Sequence, residues 1–297
     1  MSATKRHDTE PAALEAPAMT TFATPAPIAA TVEIAFGDIR FVATDRADTV
    51  VEVRPVDPGR ELDVEAAGHV RVDFADGRLK VRQAKLHGAF TKRYGSVRVL
   101  VELPTGSDVR GDTAEGEFVV EGAVGACRLM TAIGDIRVQQ ASGVRLRTSG
   151  GRVVVHHVTG DADVSGSGDI RIRRVDGGAV VKNTGGDSWV GEAAGYLRAK
   201  ANGGDITVDV ARAQVDARTA HGHIRIGELG GGAADLSTAV GELAVGIPRG
   251  TAVKLDARTS IGRVRNHLEA VGAPERSDRT VQVRARSNGG DITVHRA

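Results

Sequence analysis

The chain has 297 residues, with 39 basic side chains against 38 acidic ones and a single cysteine. Balanced charge gives no whole-molecule case for nucleic-acid or membrane binding, and one cysteine excludes an internal disulfide. Aromatics are only 3% while glycine reaches 38 residues, which excludes a wide core and suits a thin one of small and β-branched side chains.

Taken in order, the first stretch, MSATKRHDTEPAALEAPAM, carries no apolar segment of the secretory kind. No later run is long and apolar enough to cross a bilayer, so the expectation is a cytoplasmic protein. Residues 1–27 are rich in Ala, Pro and Thr without periodicity, which predicts a disordered tail. Over residues 28–110 apolar and polar residues alternate in TVEIAFGDIRFVA, DTVVEVRP, HVRVDF, RLKVRQ and SVRVLVELP. That pattern predicts strands, interrupted by a basic loop at Gln83–Gly95. This part reads as an irregular N-terminal β cap, which a stacked repeat needs to cover its open end.

Residues 111–297 repeat. Glycines recur at 116, 134, 151, 168, 186, 204, 222, 241, 262 and 290, mostly about eighteen residues apart, with the last two intervals stretched to 21 and 28. Two and four residues after each glycine, the alternation rule turns one pair of columns inward, running from Ile136 and Val138 through Ile206 and Val208 to Val264 and Asn266, then Ile292 and Val294. Seven and five residues before the glycine runs a second pair, from Cys127 and Leu129 through Leu197 and Ala199 to Val283 and Ala285. The coil before Gly168 is one residue short, and Val164 takes that place. Two strands per coil predict an all-β fold: a parallel β-solenoid with coils of about eighteen residues. A helix would lose nearly 1 kcal/mol at each of these glycines. Three residues before the glycine, Thr131, Thr148, Asn183, Thr219, Thr238 and Thr259 form a small polar column expected to make ladders at the corner.

Several stretches together resemble a known family: FATPAPIAATVEIAFGDIRFVATDRADTVVEVRP, SVRVLVELPTGS, VVKNTGGDSWVGE, ANGGDITVDVA and DARTSIGRVRNHLEA with VQVRARSNGGDITVHRA. They resemble the bacterial β-strand-repeat family of unknown function, often given an adhesin-like label, and within it the cytosolic actinobacterial branch. The resemblance covers nearly everything after Met19, near which such relatives commonly begin. It implies the fold and carries over no catalytic residues, cofactor or partner. An adhesin role fits poorly with the expected cytoplasmic location.

Three features carry candidate chemistry. The residue after each glycine forms a surface column in which Asp187, Asp205, His223 and Glu242 stack one coil apart, as a cation site for calcium would require. The calcium-binding β-roll uses a nine-residue repeat with a second glycine that is missing here, so turn capping by Asp is the plainer account. His221 and His223 lack a third histidine or cysteine for zinc. Second, Arg145, Arg147, Lys182, Arg198 and Lys200 face outward on the strand before the glycine. Farther along, Asp216, Asp235 and Asp256 can pair with basic neighbours, whereas the middle cations are expected to lack partners and form a positive patch. That patch suits an anionic partner protein or is simply solvated surface; without stacking aromatics, nucleic acid and membrane are the weaker options. Third, Trp189 stands in a column of outward Arg, Val and Thr residues. It is expected either exposed as a binding residue or packed on the stem of Arg171.

No nucleophile elbow, P-loop or dinucleotide fingerprint is present, and Cys127 falls in an inward column. The sequence therefore predicts a non-enzymatic scaffold or protein-binding module without a cofactor, its partner unspecified. A calcium-binding surface repeat and an adhesin-like protein are the alternatives, followed by an enzyme with a loop-borne site.

Overall fold

The computed structural model describes residues 18–83, 95–268 and 279–297. Most of the expected basic loop and residues 1–17 of the expected tail lie outside the described residues. The chain begins with β1 (Ala18–Ala23), β2 (Ala29–Glu33), β3 (Gly37–Thr44), β4 (Asp48–Pro55), α1 (Glu61–Gly68), β5 (Val70–Ala75), β6 (Arg78–Gln83), β7 (Val97–Pro104) and β8 (Asp108–Glu115). The regular part follows: β9 (Phe118–Ile133), β10 (Ile136–Gly150), β11 (Val153–Val158), β12 (Ala162–Gly166), β13 (Ile170–Val175), β14 (Ala179–Asn183), β15 (Ser188–Ala193), β16 (Leu197–Gly203) and β17 (Ile206–Ala211). It ends with β18 (Val215–His221), β19 (Ile224–Leu229), β20 (Ala233–Val240), β21 (Leu243–Ile247), β22 (Thr251–Ile261), β23 (Val264–Asn266), β24 (Arg279–Gly289) and β25 (Ile292–Arg296).

These strands build two walls. The wall formed by strands before the glycines runs β5–β6–β2–β8–β9–β10–β12–β14–β16–β18–β20–β24–β22. The wall after the glycines runs β1–β4–β7–β3–β9–β10–β11–β13–β15–β17–β19–β21–β25–β23. Strands β9 and β10 are long enough to run through both walls. Every neighbouring pair is parallel except β5–β6, β1–β4 and β4–β7. This is the all-β parallel solenoid that the glycine period implies.

The inward columns form one core. Ile136, Val153, Ile170, Ile206, Ile224, Leu243 and Ile292 are buried in register on one wall, and Cys127, Leu146, Val164, Leu197, Leu236 and Val283 are buried on the other. The corner glycines explain the close stacking. Gly134, Gly151, Gly222, Gly241 and Gly290 sit at φ from +144° to +150°, a region that side-chain-bearing residues avoid. A Cβ on Gly222 would stand 2.1 Å from the carbonyl oxygen of Gly204, and one on Gly241 would stand 1.9 Å from that of Gly222.

The small polar column works differently from a side-chain ladder. Each side chain donates to a glycine carbonyl of the adjacent rung: Thr148 to Gly134 (3.0 Å), Thr238 to Gly222 (3.0 Å), Ser287 to Gly241 (3.1 Å) and Thr259 to Gly290 (2.8 Å). The Asn183 amide reaches both Gly168 (3.0 Å) and Gly186 (2.7 Å). These bonds satisfy carbonyls turned inward at the corner, where water does not reach.

Three expectations are corrected. The tail reading fails for residues 18–23, because β1 pairs antiparallel with β4 and Phe22 meets Phe74 at 5.0 Å between ring centroids. A helix, α1, interrupts the β cap. Its sequence ELDVEAAG has no apolar stripe, yet buried Asp63 accepts the backbone N–H groups of Asp57 (3.1 Å) and Ser96 (3.0 Å), which fixes it in place. Finally, the last coils are not stacked in chain order. Ile292 lies between Leu243 and Val264, so β24–β25 occupies the rung between β20–β21 and β22–β23. The chain passes over one rung position and then returns to fill it, which explains the stretched intervals. Val264 and Asn266 are consequently exposed on the outermost rung instead of buried. The other end has the same plan, with β2–β3 lying between β6–β7 and β8–β9.

Ile206→Asp buries an unpaired charge and is expected to cost at least about 4 kcal/mol, lowering the melting temperature by about 10 °C. Gly222→Ala is also expected to lower it, because the methyl group meets backbone. Thermal melts with either variant unchanged would contradict the inward column or the corner.

Candidate functional site

On the outer face of the wall before the glycines, the register aligns two columns. One reads Arg128, Arg145, Asp163, Val180, Arg198, Asp216 and Asp235; the other reads Met130, Arg147, Ser165, Lys182, Lys200, Arg218 and Ser237. Ser165 and Val180 are short, and Gly143 and Gly178 leave the strand starts bare. A hollow of about 820 Å³ results, lined by Arg128, Arg145, Asp163, Lys182, Tyr196, Arg198 and Lys200 among others. All five expected basic residues share this face, and four of them line the hollow.

Two of the five are not free, contrary to expectation. Arg145 pairs with Asp163 at 3.4 Å, and Arg198 pairs with Asp216 at 3.5 Å. Asp163 belongs to the short coil, where the six-residue offset of Arg145 from its glycine lands on Ala162 instead, while Asp216 is the lateral neighbour of Arg198 in the next rung. Arg198 is held further by Tyr196, whose hydroxyl accepts from Nε at 3.0 Å and whose ring lies 5.6 Å below the guanidinium carbon. Arg147, Lys182 and Lys200 are exposed and make no ion pair with any described residue. Toward the C-terminus the expected pairing occurs: Arg218 meets Asp216 at 2.9 Å, and Arg286 meets Asp256 at 2.6 Å. The Arg286 guanidinium beside it holds the Asp256 carboxyl below the usual carboxylate range.

The column after the glycines is a scaffold feature. Oδ1 of Asp187 accepts the N–H of Asp205 (2.8 Å), Oδ1 of Asp205 accepts that of His223 (2.7 Å), and Nδ1 of His223 accepts that of Glu242 (3.0 Å). Asp135 and Asp291 do the same for Arg152 and Arg263, both at 2.8 Å. Each side chain therefore ties one rung to the next through a backbone donor. Asp187, Asp205, His223 and Glu242 are brought into line but not around a common point. Among the described residues no three His, Cys, Asp or Glu side chains gather to hold a metal ion.

Trp189 lies beside Arg171 in the adjacent rung. It is half-buried, with its six-membered ring over Gly191 and Nε1 donating to both carboxylate oxygens of Asp209 at 3.1 and 3.2 Å. The absent side chain at Gly191 leaves room for the ring, a signal that spacing alone did not supply. Cys127 is buried, and burial pushes its thiol up to about 12, so it is inert packing at neutral pH.

The sequence model of one family, Toastrack DUF4097, matches residues 31–296, both walls included. The chain belongs to the Toastrack DUF4097 family. Solved structures similar to this Toastrack chain include a putative adhesin from Parabacteroides distasonis (14% identity over 94% of this chain and 97% of that one, TM-score 0.38). Others are a putative lipid binding protein from Parabacteroides distasonis (13%, 93% and 96%, TM-score 0.38) and a putative adhesin from Bacteroides fragilis (11%, 94% and 97%, TM-score 0.34). No curated protein matches the chain.

Asp205→Ala is expected to destabilise the solenoid by about 1 kcal/mol, the scale of one exposed charge-assisted hydrogen bond. Calcium should leave the melting temperature of both proteins unchanged. A calcium-dependent rise lost in Asp205→Ala would restore the cation reading. A thiol reagent at pH 8 should label Cys127 only after denaturation; labelling of the folded chain would contradict its inward place.

Proposed function

We propose that this Toastrack chain is a non-enzymatic binding module of the cytoplasm that docks an acidic partner protein on the wall before the glycines. The observation carrying this reading is the line of exposed cations Arg147, Lys182 and Lys200 without ion-pair partners, beside a hollow. Farther along the same face, Asp216 and Asp256 neutralise Arg218 and Arg286. Unneutralised cations along a rigid wall attract and orient an anionic surface, and salt weakens the attraction. The lone cysteine, kept as a buried thiol, fits a reducing compartment. Asp135, Asp187, Asp205 and Asp291 after the glycines hold backbone donors, and the thiol of Cys127 is buried, which supports the non-enzymatic reading.

The test is affinity capture from cells with wild type and with Lys182→Glu/Lys200→Glu, under nuclease treatment and with melting checked. Both lysines are exposed, so the variant should stay folded. The expected result is an acidic protein retained by wild type, released by salt and missing with the variant. Identical recovery by both proteins would remove the basic wall as an interface, and nuclease-sensitive recovery would replace the protein partner with nucleic acid.

A further inference from the structure

The out-of-order rungs leave β22 as the last strand of its wall. It spans Thr251–Ile261, pairs with β24 on one side, and pairs on its other side with no strand among the described residues. Gln282 of β24 donates to Gly232 beside β20, so the alternating residues Val283 and Ala285 turn toward β22. In a parallel ladder that orientation points the backbone groups of Val253, Leu255, Ala257 and Thr259 outward from the edge. Their side chains continue the core: Val253, Leu255 and Ala257 are partly buried against it, while Ile261 is 77% exposed. The other end of the stack differs, because β5, β4 and β1 close it with antiparallel strands and the Phe22–Phe74 contact. An unpaired strand of this length is a template for another strand.

We propose that two copies of this chain join end to end through β22, antiparallel and centred on Ala257. Self-complementarity selects the second copy and the register. With Ala257 opposite itself, Leu255 faces Thr259, Asp256 faces Arg258, and Val253 faces Ile261, each in both directions across the two-fold axis. The exposed isoleucine is thereby covered, and each acidic residue meets a basic one. Arg258 is 76% exposed and pairs at 3.5 Å with its own Asp256 in the single chain, an exposed pair that can be exchanged for the same pair across the two copies. Centring on Asp256 would set Asp256 against itself and Lys254 against Arg258. A Leu255 centre pairs Lys254 with Asp256 but leaves Ile261 outside the paired stretch. In the favoured register the two cores become continuous and the stack keeps only its two closed ends.

Sedimentation of the full chain tests this, with an expected mass twice the 30.9 kDa of one chain. Ile261→Lys and Arg258→Asp alter exposed side chains and should each return the single-chain mass while the chain stays folded, as circular dichroism would show. Lys254→Cys/Ser260→Cys places thiols opposite one another only in the Ala257 register, and oxidation should yield a covalent dimer. A wild type at single-chain mass at every concentration would overturn the proposal, as would a doubled mass that survives both substitutions. Protection of the β22 amides from hydrogen exchange in such a monomer would assign the edge to another stretch of the same chain. A doubled mass without the 254–260 bond would overturn the register.

Discussion

The solenoid depends on how closely one corner can lie on the next. At each corner the glycine carbonyl of one rung occupies the space where a Cβ of the following glycine would stand, 1.9–2.1 Å away at Gly241 and Gly222. Only glycine fits, and at corners such as Gly134, Gly151, Gly222, Gly241 and Gly290 a positive φ turns the chain from one wall to the other within two residues. The Thr, Ser or Asn three residues earlier then meets the inward carbonyl, and the Asp after the glycine meets the outward N–H. Stacking of the walls at about 4.8 Å follows from these contacts, and a narrow core of Ala, Val, Ile and Leu fills the space between them.

The same contacts act between whichever rungs are adjacent, whatever their order in the chain. Thr259 donates to Gly290, and Ser287 donates to Gly241, so the corner bonds follow the stack across both stretched intervals. Placing the last coil inside the stack protects the C-terminal strand on both edges. It also makes an internal strand, β22, the outermost one. At the opposite end β2–β3 is likewise enclosed, but antiparallel strands cover the rung outside it. The two ends therefore differ in what they expose, and that asymmetry is a property of topology that residue periodicity does not encode.

Charge on the walls divides by task. Carboxylates next to the glycines hold backbone donors, Asp163, Asp216 and Asp256 neutralise arginines, and Asp209 holds Trp189. Arg147, Lys182 and Lys200 stand without ion pairs in the middle of one wall, where Ser165 and Val180 interrupt the rows of long side chains. Much of this was legible from the sequence, because alternation fixes which face a strand residue occupies and a constant period fixes which residues are lateral neighbours. Ile206, Leu197 and the five basic residues all fell on their expected faces. Legibility ended where the period changed: the short coil hid Asp163 beside Arg145, and the long intervals hid the exchange of the last two rungs. The helix α1 was hidden because Asp63, through bonds to Asp57 and Ser96, does the work an apolar stripe would ordinarily do.

Stacking order, rather than chain order, sets the neighbours at the C-terminal end. Disulfide trapping tests it most directly, since two cysteines bond only when their Cα atoms lie within about 7 Å. Ala244 and Thr293 are lateral neighbours with half-buried side chains, while Arg265 is the neighbour of Thr293 on the far side. Oxidised Ala244→Cys/Thr293→Cys should form the bond within the folded chain, and Ala244→Cys/Arg265→Cys should not. A bond in the second variant and none in the first would mean that the coils stack in chain order after all.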